Sequence, residues 1–259
     1  MADRTSIAAP DLLRRIRLPV AIAIAVVVGA AWYVTWAAAD VTMALMAMPM
    51  TPAGPAELAL FLLVLVVMMV AMMLPAALPM VLAFHGLTRL EGGRATKPAD
   101  LAATALFVVP YFLIWGAFSV LALLGLMALG VMGPLGGGLV FVPSAILVAA
   151  GAYQVTRAKE VCLAHCQSPA SFVIHHWRSG RIGAARMGSR HAAYCIGCCW
   201  LFMIALFVAG AMSLLWMGIL SVVIFAEKTT SRRVLVSRAI GIVLLVLGVL
   251  VGLQASGLL

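Results

Sequence analysis

Charge is scarce in this sequence. Asp, Glu, Lys and Arg make up 10% of its 259 residues and 65% are hydrophobic, where a soluble domain carries about a quarter charged and half apolar. A water-soluble globule is excluded. Acid is scarcer still, with 8 Asp+Glu against 17 Lys+Arg and a formal charge of +9. The basic residues stand in short stretches between apolar runs, never in a long basic domain interleaved with aromatics, which excludes nucleic acid as a partner. Their placement instead encodes the cytoplasmic bias of membrane loops. Also missing are a Ser-His-Asp constellation, a glycine-rich phosphate loop, a dinucleotide fingerprint and a His-Glu-x-x-His helix. Hydrolase, kinase and nucleotide-driven pump are therefore poor readings, and no enzyme is expected.

What is present is a succession of apolar runs, each near the roughly 20 residues a helix needs to cross a bilayer. Arg14, Arg15 and Arg17 precede the first, residues 18–39, which ends in Trp32, Tyr33 and Trp36, as interfacial rings do. Its Ala37-Ala38-Ala39 end mimics a signal-cleavage site, but the run is long for a signal peptide and carries aromatics. It is expected to stay as a span starting in the cytoplasm. Further spans are expected at 58–84, 101–129, 139–155, 192–210, 213–227 and 234–253, with a strongly basic cytoplasmic loop at 156–191. A single helix through the apolar stretch 192–226 would give six spans and place Arg232-Arg233 outside, against the charge rule. Gly210 as a stop and Ser213 as an N-cap favour a hairpin instead. The reading is an all-α, polytopic transmembrane helical bundle of seven spans, a single membrane domain over residues 1–259.

The five cysteines fall in two groups, Cys162-Leu163-Ala164-His165-Cys166 and Cys195-Ile196-Gly197-Cys198-Cys199. On helices, Cys162 and Cys166 share one face, and His191, Cys195, Cys198 and Cys199 another. Single cysteines usually pack as small hydrophobes. Five gathered at the two ends of one cytoplasmic loop instead point to thiolates converging on a soft metal, Cu(I) or Zn(II), or an iron–sulfur cluster. His165 is a candidate ligand; His191 is a weaker one.

Sixteen methionines add a soft donor that needs no deprotonation. Met43, Met46, Met48 and Met50 crowd the first outer loop, and Met68, Met69, Met72, Met73 and Met80 lie along the second span, where Met72, Met73 and Met80 are candidate ligands. Packing is the ordinary explanation of such a stripe. Methionines outside and mid-membrane with thiolates inside nevertheless outline a soft-metal path. Pro75 and Pro79 in the same span free backbone carbonyls near Ala71 and Pro75. Glu160 and Glu227 near span ends, with Lys159 and Lys228 beside them, are costly at membrane depth unless paired or functional. Tyr153 and Gln154 are expected to supply hydrogen bonds to the same site.

Five stretches together resemble a known bacterial family. They are MVAMMLPAALPM from Met69 to Met80, GAYQVTRAKEVCLAHC from Gly151 to Cys166, YCIGCCW from Tyr194 to Trp200, GAMSLLWM from Gly210 to Met217, and Glu227-Lys228. The family is one of predicted metal-binding integral membrane proteins, a domain of unknown function sometimes labelled a copper chaperone. One departure is Ser213, where the pattern expects asparagine; serine can still cap a helix. The resemblance implies a membrane protein with a metal site, plausibly for copper, built from Cys162, Cys166, Cys195, Cys198 and Cys199 with Lys159, Glu227 and Lys228 as companions.

The expected protein binds Cu(I), with Zn(II) satisfying the same thiolates, in a bacterial inner membrane with a cytoplasmic N-terminus. Its expected partners are lipid and a copper-receiving enzyme or accessory protein. Two other readings stand beside it: a thiol–disulfide redox protein, and an accessory subunit of a membrane oxidase with a structural metal site.

Overall fold

In the computed structural model the residues described are 9–40, 54–91, 94–95, 100–130, 140–210 and 213–258. Met43, Met46, Met48 and Met50 lie outside them. Among the described residues there are nine helices: α1 (Ala9–Ala37), α2 (Pro55–Leu87), α3 (Leu101–Ala128), α4 (Val142–Tyr153), α5 (Arg157–Gln167), α6 (Pro169–His176), α7 (Gly180–Gly210), α8 (Leu214–Thr229) and α9 (Arg233–Ala255). The only strands among them are β1 (Leu90–Glu91) and β2 (Arg94–Ala95), an antiparallel pair between α2 and α3. The all-helical expectation holds.

Among the described residues, five helices contain stretches long and apolar enough to cross a membrane: Leu18–Ala37, Ala59–Leu87, Leu101–Ala128, Gly180–Val208 and Arg233–Ala255. Helices α4 (12 residues) and α8 (16 residues) occupy the other two expected positions but are shorter. Large apolar side chains point outward all along the bundle, among them Val26, Leu113, Leu121, Val222 and Leu235, as lipid-facing positions require. Helix α7 is the central post. It packs lengthwise on α3 and also touches α4, α5 and α8, while α1 leans on α2, and α2 meets α3, α6 and α8.

Local chemistry sets the boundaries. Asp100 caps α3, its Oδ1 accepting from Ala103 N at 2.9 Å, and Thr156 caps α5 through Lys159 N. Ser213 caps α8, accepting from Trp216 N, so the apolar stretch 192–226 is divided between two helices as a cap there demands. Helix α2 runs unbroken through Pro75 and Pro79. Near the first of them the Met72 carbonyl accepts from Ser221 Oγ of α8 at 3.3 Å, which supplies a partner from protein.

The connection expected as a loop at 156–191 is itself helical. Helix α5 buries Lys159, Leu163 and Cys166, at i, i+4 and i+7, and α6 buries Phe172 and Val173. The first turns of α7 bury Ala184, Met187 and His191. Apolar spacing of three and four residues, hidden among the arginines, drives helix formation there. Gly180, at φ +80°, opens α7 in a conformation that side-chain-bearing residues avoid.

Helices α4 and α9 meet along a seam of small residues. A Cβ on Gly151 would lie 2.7 Å from Gly241 O and 2.8 Å from Leu245 Cγ, and Ser144 Oγ donates to Gly248 O at 2.7 Å. Backbones approach this closely only where side chains are absent. Gly151→Leu is expected to wedge the two helices apart and cost about 1–3 kcal/mol, read as a lower thermal midpoint in detergent.

Candidate metal centre

The second cysteine group lies mid-way along α7, and its helical spacing turns all three thiols inward. Cys195, Cys198 and Cys199 are buried, and their Sγ atoms lie within 4.8 Å of one another. Three sulfurs about 4 Å apart surround an ion at the roughly 2.3 Å of a metal–thiolate bond. All five cysteines are free.

The sulfur of Cys195 is the best-supported of the three. Lys228 Nζ of α8 donates to it at 2.8 Å, and Tyr111 Oη of α3 lies 3.0 Å away. The thiols of Cys198 and Cys199 instead turn to the Cys195 carbonyl, at 3.1 and 2.9 Å. An ammonium aimed at one buried sulfur prepares it to carry negative charge.

Helix α5 brings in the first cysteine group. Cys166 is buried, and the neighbouring Cys195 and Cys198 side chains, reinforced by burial, hold its thiol well above the usual range. Cys162 is half-buried against Gly197, and burial with Cys198 nearby raises its thiol too. Helix α5 thus packs the first cysteine group against α7, while the closely set thiols among the described residues are Cys195, Cys198 and Cys199. His165 does not join the trio. It stacks flat on Tyr194, ring centroids 4.1 Å apart, with its Nδ1 2.8 Å from the Val161 carbonyl.

A buried ion pair braces the centre. Lys159 Nζ reaches Glu227 Oε2 at 2.8 Å and Oε1 at 2.9 Å, also donates to Gln154 Oε1, and rests 4.7 Å over the Phe202 ring. Ser237 Oγ lies 2.9 Å from Gln154 Oε1 and 3.2 Å from Glu227 Oε1, while Gln167 Nε2 bonds the Glu227 carbonyl. Charges buried this deeply persist only when paired and hydrogen-bonded. With Glu227 fastened on one side of α8, its neighbour Lys228 is turned the other way, onto Cys195. Tyr153 contributes from α4 by donating to the Gly197 carbonyl at 2.5 Å, inside the Cys-x-x-Cys turn. Glu160, in contrast, is exposed at the start of α5 and beside a small surface pocket.

Met72 and Met73 are fully buried in the same apolar cluster as the cysteines, with Met68, Met69, Met203 and Met217. Met80 falls in an adjoining cluster with Met187, Phe107 and Phe172. Sequence reasoning missed Tyr111 and Ser237. A tyrosine hydroxyl in the middle of an apolar run needs a polar partner, and that was the available signal. His191, ranked low from sequence, is buried between aromatic rings.

A family model described as PpoB2, copper chaperone, matches residues 62–251, a stretch that contains both cysteine groups, Pro75 and Pro79 of α2 and the buried ion pair. No curated protein and no solved structure matches the chain.

Proposed function

We propose that this chain, which belongs to the PpoB2 copper chaperone family, binds Cu(I) at the Cys195–Cys198–Cys199 trio and hands it to a partner enzyme at the membrane. The observation that carries this reading is the trio itself, three converging buried thiols with an ammonium on one of them. Cu(I) is soft, prefers few sulfur ligands and needs little counter-charge. With two of the trio as thiolates and the third a neutral thiol, Cu(I) leaves one negative charge, which Lys228 balances. Three thiolates around Zn(II) leave the same single charge, so the softness of the donors, and not the charge, favours copper. The setting we propose is a bacterial inner membrane, with the N-terminus and the basic 156–191 segment in the cytoplasm, as the distribution of arginines supports. The protein acts by holding and releasing the ion rather than by catalysis.

The test is elemental analysis of anaerobically purified protein in detergent, with copper, zinc and iron counted per chain. The comparison is a variant in which Cys195, Cys198 and Cys199 are all serine. Near-stoichiometric copper in the wild type that is absent from the variant is the expected result. Zinc in its place would recast the trio as a structural clip, and metal-free protein with a cycling disulfide would replace this reading with thiol redox chemistry.

A further inference from the structure

Helix α7 carries more soft donors than its cysteines. Met187, His191, Cys195, Cys199 and Met203 recur every fourth residue, and each is at most 2% exposed. Four residues advance a helix by about 6 Å, so the row climbs in short steps over roughly 24 Å along one slowly winding face. Its far end, Met203, lies in the methionine-rich cluster that holds Met72 and Met73. Its near end, Met187, lines a pocket of about 300 Å³ together with His176, Arg178, Arg186 and Arg190.

His191 is the step between that pocket and the trio. Neither of its ring nitrogens has a hydrogen-bond partner, although the side chain is buried. Buried polar atoms are nearly always satisfied, so two on one ring call for an explanation. The ring is held in place rather than loose. Tyr111 stacks on it at 5.2 Å and Phe107 at 6.1 Å, with the Phe172 ring 5.7 Å away at a steep angle. The hydroxyl of that same Tyr111 touches Cys195 Sγ. A neutral imidazole keeps one lone pair for a metal, and this one stands a helical turn from the trio without belonging to it.

We propose that His191, with Met187, is a transfer site that passes Cu(I) between the arginine-rimmed pocket and the cysteine trio. This rests on the copper reading above. In a thiol-containing compartment Cu(I) travels as a bis-thiolate complex with net negative charge, which Arg178, Arg186 and Arg190 attract to the mouth. The step is ligand exchange: the two copper–sulfur bonds to the carrier break as bonds to Met187 Sδ and a His191 ring nitrogen form, and both carrier thiolates leave. The bonds to Met187 and His191 break in turn as the copper–sulfur bond to Cys195 forms, and any proton on that sulfur passes to a released carrier thiolate. Copper remains Cu(I) throughout. Neutral donors suit a relay because they hold the ion more loosely than thiolates and release it to them.

The experiment loads the full chain in lipid nanodiscs, under nitrogen, from the coloured anionic Cu(I)–bicinchoninate complex. It records both the rate of loading and the copper bound at the end. His191→Leu is expected to bind as much copper as the wild type but to load at least about tenfold more slowly, by analogy with the effect of losing a group just outside a metal's ligands. His191→Met, which restores a soft donor, is expected to recover most of the rate. Met187→Leu, close in volume, is expected to slow loading with capacity kept, and it carries the test should His191→Leu fail to fold. Unchanged loading rates in these variants overturn the proposal while leaving the copper site standing. Loss of bound copper in His191→Leu also overturns it, by making His191 a resident ligand. A wild type that binds no copper removes the copper reading itself, and this proposal with it.

Discussion

Glu227→Gln is expected to destabilise the protein by about 3–5 kcal/mol, the range for removing one partner of a buried ion pair. Lys159 and Glu227 are each 2% exposed and meet through both carboxylate oxygens, at 2.8 and 2.9 Å. Neutralising the carboxylate leaves the ammonium buried without a counter-charge, with the Gln154 oxygen, the new amide and the Phe202 face around it. The loss is read as a fall in thermal midpoint in detergent and a lower yield of folded protein. Lys159→Met should be comparably harmful. The double variant, with methionine at both positions, is expected to recover much of the loss, because two apolar side chains of similar length leave no charge to solvate. A thermodynamic cycle over the wild type, Lys159→Met, Glu227→Met and this double variant measures the coupling directly. If Glu227→Gln melted within a degree of the wild type, the ion pair would not be holding the junction of α5, α8 and α9.

The second large effect belongs to Cys195. Cys195→Ser is expected to abolish retention of Cu(I) against a competing chelator, because it removes the one sulfur that both Lys228 and Tyr111 address. Lys228→Met keeps all three thiols and should weaken copper binding by roughly 10–100-fold, as loss of a group that tunes a ligand does. The bis-thiolate's negative charge then sits in a buried site without its counter-ion. Competition titrations on the two variants separate ligand loss from charge loss. Equal affinities for Lys228→Met and the wild type would show that the ammonium does not balance the bound ion.

Much of this arrangement was readable beforehand because its signals are local. Apolar runs, arginines at their ends and paired cysteines at helical spacing each survive translation from sequence to helix, and Ser213 caps α8 where a hairpin needs it. The packing of α5 on α7, with Cys162 against Gly197, was also within reach, since thiol-bearing faces at the two ends of one connection invite contact. What escaped depends on tertiary packing. The helices hidden in residues 156–191 have short buried faces masked by arginines, so composition looked like a loop. Glu160 and Glu227 look alike in sequence, yet one is exposed and the other is locked to Lys159. Only the arrangement of α5 against α8 distinguishes them. Tyr111 lies far from the cysteines in sequence, and nothing short of the α3–α7 contact joins its hydroxyl to Cys195.

The glycine seam between α4 and α9 bears on how the chain is assembled in the cell. Helix α4 has 12 residues, about 18 Å of rise, against a hydrocarbon core of about 30 Å. Alone, it is a poor substrate for lateral release from the insertion machinery into lipid. Its close-fitting companion is α9, which leaves the ribosome only after α5, α6, α7 and α8. Helix α4 can pack on α7 earlier, but its close-fitting seam forms only when α9 is made. Ser237 of α9 also bonds Gln154 and Glu227, so the brace beside the cysteines is complete only once that helix has been synthesised.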